Sequence, residues 1–503
     1  MARWGDRIAL TLAIFAALVS YLVGVRYFEQ LPHIEDEMAY TWQAKALARG
    51  VLLVPAPPCV ECVRVPFVLT TSTGFRTSKY PPGWSAALAL GELTSAREWV
   101  NPVLAVLCAW LTYRLARRFL SPMPAILAEL LLAISPLFLI QTGSLLGHAF
   151  STFLLLLFTL AWLDGTSSEP KLPHWVSGLQ AALSLGLLVL TRPLTALAGS
   201  LPFILHGVWC LIKGSSSKRY WVMSIGLSVL PFVGLYLLWQ AQVTGSPWHN
   251  PYQMWWPYDT VGFGPTAGLM AGGYWPKNAI ENMVKMIKLM ASDLFGWKGL
   301  SFVLLPFGIV ALFKQRQAWL VLAIFPSLVL GYAFYWISST LFSTRYYVEA
   351  LPALAVFSAA GFNWLAGEFL TKKRWKSVPL PSPTWLAAVA LLLFYIIRAA
   401  ISYTPQRLMT FIGMNEATQE RIRPFQAAIQ QGLSPAIVIV NWPNYWTEWG
   451  GLVDLNNPFL DTPLVVISHR GDAEMDALIK QFPEYRIYNY YSDRPWHWEE
   501  IPR

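Results

Sequence analysis

Charge is scarce in this chain: 13% of its 503 residues are Asp, Glu, Lys or Arg, against 55% hydrophobic. So few polar groups cannot cover a soluble globule, and a mean hydropathy of +0.43 points instead to an all-α polytopic membrane protein. Cysteine is scarcer still, with four in all. Cys108 and Cys210 fall in apolar runs, where a thiol behaves as a small apolar side chain. Cys59 and Cys62 form Cys-Val-Glu-Cys with no second pair to complete four thiolates, so a disulfide or free thiols are favoured over half a metal site. No internal repeat and no low-complexity tract stand out, and the inverted-repeat signature of many transporters is missing. No Asn-x-Ser/Thr sequon occurs, which is compatible with a bacterial plasma membrane. The net charge of +9 comes from 37 basic and 28 acidic residues that form no single basic block, so no nucleic-acid partner is expected.

What the chain has in abundance is apolar runs. About eleven are of transmembrane length, near 8–27, 98–118, 122–140, 147–163, 175–191, 194–212, 220–239, 300–313, 317–337, 346–369 and 383–400. Basic residues punctuate every second connection: Arg3 and Arg7; Arg114, Arg117 and Arg118; Lys171; Lys213, Lys218 and Arg219; Lys314 and Arg316; Lys372, Lys373, Arg374 and Lys376. Positive charge stays inside, so these face the cytosol and the N-terminus is cytosolic. The first span has no small-residue cleavage site and reads as a retained anchor. In a plasma (inner) membrane, the outer side then holds a loop at 28–97, a second at 240–299, and a tail.

Two domains are expected, a transmembrane domain over 1–403 and a small extracytoplasmic α/β domain over 404–503. The tail alternates a helix near 415–431, a strand at 436–440, a strand at 463–468, a helix near 472–482 and a strand near 485–490. It has no glycine-rich phosphate loop, so no nucleotide is assigned to it; a solvated cap is favoured over contact with an acceptor or a partner protein.

Three stretches at the outer face carry chemistry. Residues 36–49 read as a short helix lying flat on the membrane surface, with Tyr40, Leu47 and Val51 on one face, Lys45 and Arg49 near its end and Gly50 to stop it. Asp36 and Glu37 sit at its N-terminus, where the helix dipole favours ionised carboxylates able to take a proton; acids there also merely cap helices, and both readings stand. In Thr77-Ser78-Lys79-Tyr80-Pro81-Pro82-Gly83-Trp84, a lysine precedes a stiff turn, placed to meet a lipid phosphate or to snorkel beside a helix start. Ser343-Thr344-Arg345-Tyr346-Tyr347 puts an arginine ahead of a late span, where its planar fork suits a phosphate or a headgroup, and Arg192 in Thr191-Arg192-Pro193-Leu194 poses the same choice. The second loop is rich in aromatics (Trp248, Tyr252, Trp255, Trp256, Tyr258, Tyr274, Trp275), for which interfacial anchoring is favoured over stacking on sugar.

A span followed by Asp-Glu-x-x-Tyr with later Ala and Gly, then Lys-Tyr-Pro-Pro-Gly-Trp, resembles the GT-C glycosyltransferases that use polyprenyl-phosphate sugars, near the protein O-mannosyltransferases and the lipid A aminoarabinose transferases. Arg345-Tyr346 and Thr244-Gly245-Ser246-Pro247 are similar to that group as well, and the likeness covers roughly residues 1–370. The resemblance implies Asp36 as general base, Glu37 assisting or orienting it, Lys79 on the donor phosphate and Arg345 near that phosphate. Tyr80 separates the lysine from the prolines, a departure from the Lys-Pro-Pro of some members that puts the lysine's reach in question. Tyr346 and Arg192 join the phosphate-binding set, and His148, Tyr40 and Trp84 are candidate substrate or metal contacts.

Transfer of a sugar from a polyprenyl-phosphate donor to a hydroxyl or amine needs a base on one side and stabilisation of the departing phosphate on the other. A phosphate monoester, with a second pKa of about 6, leaves without an acid catalyst. One base implies inversion at the anomeric carbon. Three successive acids on a helix fan apart by about 100° each, so at most two address one point. With His148 or Asp259 the only obvious further ligands, no metal is assigned and metal independence is favoured over a divalent ion. The rival readings are a glycolipid transporter or flippase, which should carry ionisable groups in mid-span as Glu129 alone clearly does, and a non-catalytic assembly subunit. The sugar, the acceptor (lipid, glycan or protein) and the polyprenyl length are not written in any motif.

Overall fold

A computed structural model describes residues 2–368, 383–441 and 449–502. Among them, seven helices are long and apolar enough to cross a membrane: Trp4–Tyr27, Arg97–Ala116, His148–Gly165, Pro193–Lys213, Ser216–Thr244, Arg345–Gly367 and Leu386–Met409. The protein is therefore a multi-pass, mostly helical membrane protein. The other four apolar runs are also helical but shorter or broken. Pro122–Ala133 and Pro136–Gly143 form a pair bent by 57°; His174–Val189 and Arg316–Tyr332 are shorter apolar helices, and the 300–313 run yields only Leu305–Leu312. The bend follows from the sequence, because Pro136 lacks the N–H that would continue the first helix and Ser135 caps the second through its hydroxyl, which accepts from the Phe138 N–H at 3.3 Å.

The core of the bundle is built on small residues that let helices approach: Ala9, Ala13 and Ala16 of the first helix share a buried cluster with Ala105, Cys108 and Ala109. Cys108 is fully buried among them and behaves as the apolar residue expected of it. At one end the basic connections meet. Arg118 pairs with Asp164 at 2.7 Å, Asp164 accepts from the backbone N–H of Lys171 and Leu172, and Lys218 donates to the Thr166 carbonyl at 3.2 Å. Lys372, Lys373, Arg374 and Lys376 lie outside the described residues.

At the opposite end, the first loop forms the helix Glu35–Leu47 and a three-stranded antiparallel sheet in which Phe75–Ser78 lies between Val54–Pro55 and Val68–Thr70. Gln43 ties the two together, its amide oxygen accepting from the Ser78 N–H (2.8 Å) and the Thr77 hydroxyl (3.0 Å). Gly50, at φ +73° with open space where a Cβ would stand, turns the chain out of the helix because it alone adopts that backbone freely. Cys59 and Cys62 form a disulfide.

The tail builds a four-stranded sheet in the order Leu464–Ser468, Ala436–Asn441, Arg486–Tyr491, Trp498–Ile501, parallel except for the last pair. Every expected strand and helix of this region is found; Trp498–Ile501 is an added edge strand. The sheet is not a detached cap. Its face packs on the first loop in one apolar cluster that joins Val438, Val440, Val466, Trp449 and Leu452 to Met38, Ala39, Trp42, Val65 and Phe67. Asp454 clasps the same loop, 2.8 Å from both Lys45 and Arg97. This packing explains why the Glu35–Leu47 helix, expected on the membrane surface, is instead buried over most of its length, Met38, Ala39, Trp42 and Ala46 included.

Candidate functional site

The turn after Lys79 is set by Pro81 and Pro82, the latter at the start of the Pro82–Leu93 helix, where its missing N–H costs nothing. Gly83 donates its N–H to the Leu190 carbonyl at 2.8 Å, and a Cβ there would fall 2.7 Å from that oxygen. Only glycine permits this approach. It brings the Lys79 turn against the Leu190–Thr191–Arg192 turn, two stretches more than a hundred positions apart.

Glu37 does a different job from its neighbour. Its carboxylate is fully buried, one oxygen accepting from the His33 N–H (2.7 Å) and the Ile34 N–H (3.3 Å), the other from the Leu145 N–H (2.7 Å). The start of the helix is thereby tied to the turn that leads into His148. Burial pushes this carboxyl up to about 7, against the pull of those N–H groups. Trp84 is also buried and away from the cavity, donating from Nε1 to the Leu145 carbonyl at 3.0 Å.

The remaining candidates converge. Asp36, Tyr40, Lys79, His148, Arg192, Arg345 and Tyr346 all line one cavity of about 480 Å3, together with Glu35, Tyr80, Tyr252, Trp256 and Asp259. Ligand pockets fall in the range ~300–1,000 Å3. Asp36 accepts from the Tyr80 hydroxyl at 2.8 Å and lies 3.7 Å from Arg345 Nη1. Tyr80, the residue that departs from the Lys-Pro-Pro pattern, thus holds the acid in place, and Lys79 still reaches the cavity. Arg345 is fixed through Nε by the Ser339 hydroxyl at 2.6 Å, while its buried Nη1 has no hydrogen-bond partner among the described residues.

Lys79 is 2% exposed, with its ammonium 3.5 Å from the Phe67 ring centroid, 4.7 Å from Trp256 and 5.0 Å from Tyr252. Its ion pair is with Asp259 Oδ2 at 3.6 Å. Burial lowers its pKa to about 8, with Asp259 and then Asp36 opposing that shift. Asp259 is held through Oδ1 by Tyr335 (2.8 Å) and Trp336 (3.1 Å), and its buried Oδ2 makes no hydrogen bond to a described residue. Arg192 lies against the His148 imidazole, 2.8 Å from Nε2, donates to the Tyr332 hydroxyl at 2.8 Å and pairs with Glu349 at 3.7 Å. Tyr346 stacks on Tyr332 at 4.4 Å and lies under both arginines, each 5.6 Å from its ring centroid.

Among the described residues no group of three or more His, Cys, Asp or Glu is placed to hold a metal ion, and His148 already has a guanidinium against it. Of the second-loop aromatics, Tyr252 and Trp256 face the cavity, Trp248 is exposed, and Tyr274 is buried with its hydroxyl on the Ala333 carbonyl. Sequence reasoning did not single out Tyr80, Tyr332 or Tyr335 as site residues, nor Asp259 as the partner of Lys79, and it favoured anchoring over stacking on sugar for Tyr252. The position of Tyr80 directly between the lysine and the prolines was the one local signal.

A family model described as oligosaccharyl transferase STT3, N-terminal, matches residues 83–249. No curated protein matches the chain by sequence. Among solved structures, ArnT from Cupriavidus metallidurans bound to undecaprenyl phosphate is similar at 13% identity and a TM-score of 0.56, covering 95% of this chain and 92% of that one. The same protein in the apo state gives 14% identity, a TM-score of 0.54 and the same coverage. At that identity the likeness speaks for the fold. The likeness in fold extends over nearly the whole of both chains.

Proposed function

We propose that the protein is a glycosyltransferase that moves a sugar from a polyprenyl-phosphate donor to an acceptor hydroxyl or amine at the outer face of a plasma (inner) membrane. In this reading the chain crosses the membrane about eleven times, its N-terminus is cytosolic, and residues 404–503 form an extracytoplasmic domain resting on the 28–97 loop. The observation that carries the reading is one cavity in which Asp36 faces Lys79, Arg192 and Arg345.

Asp36 takes the proton of the acceptor as its oxygen or nitrogen forms a bond to the anomeric carbon. The bond from that carbon to the phosphate oxygen breaks with its electron pair going to polyprenyl phosphate. Lys79 and Arg345 hold the departing phosphate, Arg345 through the nitrogen that has no hydrogen-bond partner among the described residues. Arg192 and Tyr346 complete that side, and Tyr40 and His148 line the same space. Glu37 orients the helix that carries Asp36. With one base and attack from the rear, the anomeric configuration inverts. No step needs a divalent ion, and the cations already present supply the positive charge.

The test is to incubate purified protein with candidate polyprenyl-phosphate sugars and follow released polyprenyl phosphate, with and without chelator. Release in both conditions, lost in Asp36→Asn, supports the reading. A carrier or a non-catalytic subunit would release none, and retention of anomeric configuration would exclude the single-displacement mechanism.

A further inference from the structure

Beside the main cavity lies a smaller one of about 220 Å3, lined by Glu35, Arg64, Pro66, Phe67, Trp255, Trp256 and Trp449. Glu35, Phe67 and Trp256 belong to both cavities, so the two share a wall. Three indoles from two separate regions face one space. Trp255 and Trp256 come from the second loop and pack edge-on against Phe67 at 5.5 and 5.2 Å. Trp449 comes from the tail, is buried, and donates from Nε1 to the Arg64 carbonyl at 2.7 Å. The Arg64 guanidinium lies over Trp255 at 5.1 Å.

Glu35 stands where the cavities join, one residue before Asp36, and its carboxylate has no hydrogen bond or ion pair to another described residue. Asp36 by contrast already accepts from Tyr80. A half-buried carboxylate without a partner beside a proton-accepting aspartate is placed to receive a hydroxyl. Flat apolar walls with one acid and one guanidinium match a sugar ring, whose C–H face stacks on an indole while its hydroxyls need an acceptor and a donor.

Resting on the glycosyltransferase reading, we propose that this smaller cavity is the acceptor subsite, that it takes a pyranose or furanose ring, and that Glu35 binds an acceptor hydroxyl beside the one Asp36 deprotonates. The acceptor is then a glycan or glycolipid headgroup rather than a peptide. The tail sheet contributes Trp449 to this wall, which gives its docking on the first loop a function. Glu35 forms no bond to the reacting carbon; it positions the nucleophile.

The test uses the full chain in detergent and saturation-transfer NMR with a panel of methyl glycosides (glucoside, mannoside, galactoside, arabinofuranoside), with a hydroxyl-bearing tripeptide as the competing class. At least one glycoside should receive saturation, and its affinity should fall about tenfold in Trp255→Ala and again in Glu35→Gln, both checked for monodispersity. Arg64→Ala, a half-exposed position, provides a second variant should Trp255→Ala fold poorly, and the same loss is expected. Where activity can be measured, Glu35→Gln should raise the acceptor KM more than it lowers kcat, which a merely structural role would not do. Saturation of the tripeptide alone, or glycoside binding indifferent to all three substitutions, overturns the proposal. Binding of undecaprenyl phosphate to the wild-type chain is measured in parallel. If that lipid binds and no glycoside does, the acceptor subsite fails and the donor reading stands; if neither binds, both fail.

Discussion

Asp454 and Glu37 differ from Asp259 and Arg345 in how completely their polar atoms are used, although Glu37, Asp259 and Arg345 are buried and Asp454 is nearly so. Asp454 has Lys45 and Arg97 on its two oxygens, and Glu37 has three backbone N–H groups. Among the described residues Asp259 leaves one oxygen, and Arg345 one nitrogen, without a hydrogen bond. Leaving a buried charged group unsatisfied costs about 1–3 kcal/mol or more, so such groups persist where a ligand completes them or where function requires it. The saturated acids hold the loop together; the unsaturated ones open onto the 480 Å3 cavity. Glu129 shows that incomplete pairing alone does not mark a site, since both its oxygens lack partners among the described residues and it is not in the cavity lining. Convergence of several such groups on one space is the better sign.

The largest expected effect comes from Asp36→Asn. The amide keeps an oxygen for Tyr80 but cannot take a proton, so kcat should fall ~100- to 10,000-fold while the thermal midpoint hardly moves. Equal losses of activity and stability would place Asp36 with the saturated group instead. Next is Asp454→Asn, which leaves Lys45 and Arg97 short of a counter-charge and should destabilise the chain by about 3–5 kcal/mol, read by denaturation and by faster proteolysis of the tail. Burial favours the neutral form of Asp454, yet Arg97 and then Lys45 outweigh it and hold its pKa below the ordinary carboxylate range. The clasp's contribution is therefore present above that range and is lost only on acidification through the depressed value.

Glu37→Gln should cost about 1–3 kcal/mol, because the amide has one oxygen where the carboxyl has two and leaves a buried N–H without an acceptor. The sign of its pH dependence is the reverse of that for Asp454. With its pKa raised from 4.5 to about 7, Glu37 takes up a proton on folding between those values. Wild-type stability should fall as pH rises through that window, and Glu37→Gln should flatten the slope. The smallest effect is a pH limb. In the proposed role the Lys79 ammonium, depressed to about 8, holds phosphate only when charged, so kcat/KM should drop above pH 8 by about tenfold per unit. Lys79→Arg should shift that limb upward. An unchanged limb in Lys79→Arg would remove the lysine from the donor side.

Charged residues at span edges made much of this site legible in the sequence. Asp36, Lys79, Arg192 and Arg345 each stand where charge is costly, and the structure brings all four to one cavity. The tail's strands were legible for another reason, the short β-branched runs Ala436–Asn441 and Leu464–Ser468. Long-range docking was not. Nothing local in Lys45 or Trp42 says that a sheet some 400 positions later will cover them, and the helix carrying them reads as a surface helix until Val438, Trp449 and Leu452 are placed on it. Nor could the sequence divide labour between Asp36 and Glu37. Neighbours on a helix point about 100° apart, and the long-range contact that turns Glu37 inward, the Leu145 N–H, lies more than a hundred positions away.

The most direct measurement is a structure of the protein with bound undecaprenyl phosphate. The account predicts its phosphate in the 480 Å3 cavity within hydrogen-bonding distance of Lys79 and Arg345, with Lys79 drawn from Asp259 toward it. A phosphate seated elsewhere, with Lys79 still paired to Asp259 and the cavity empty, would contradict it.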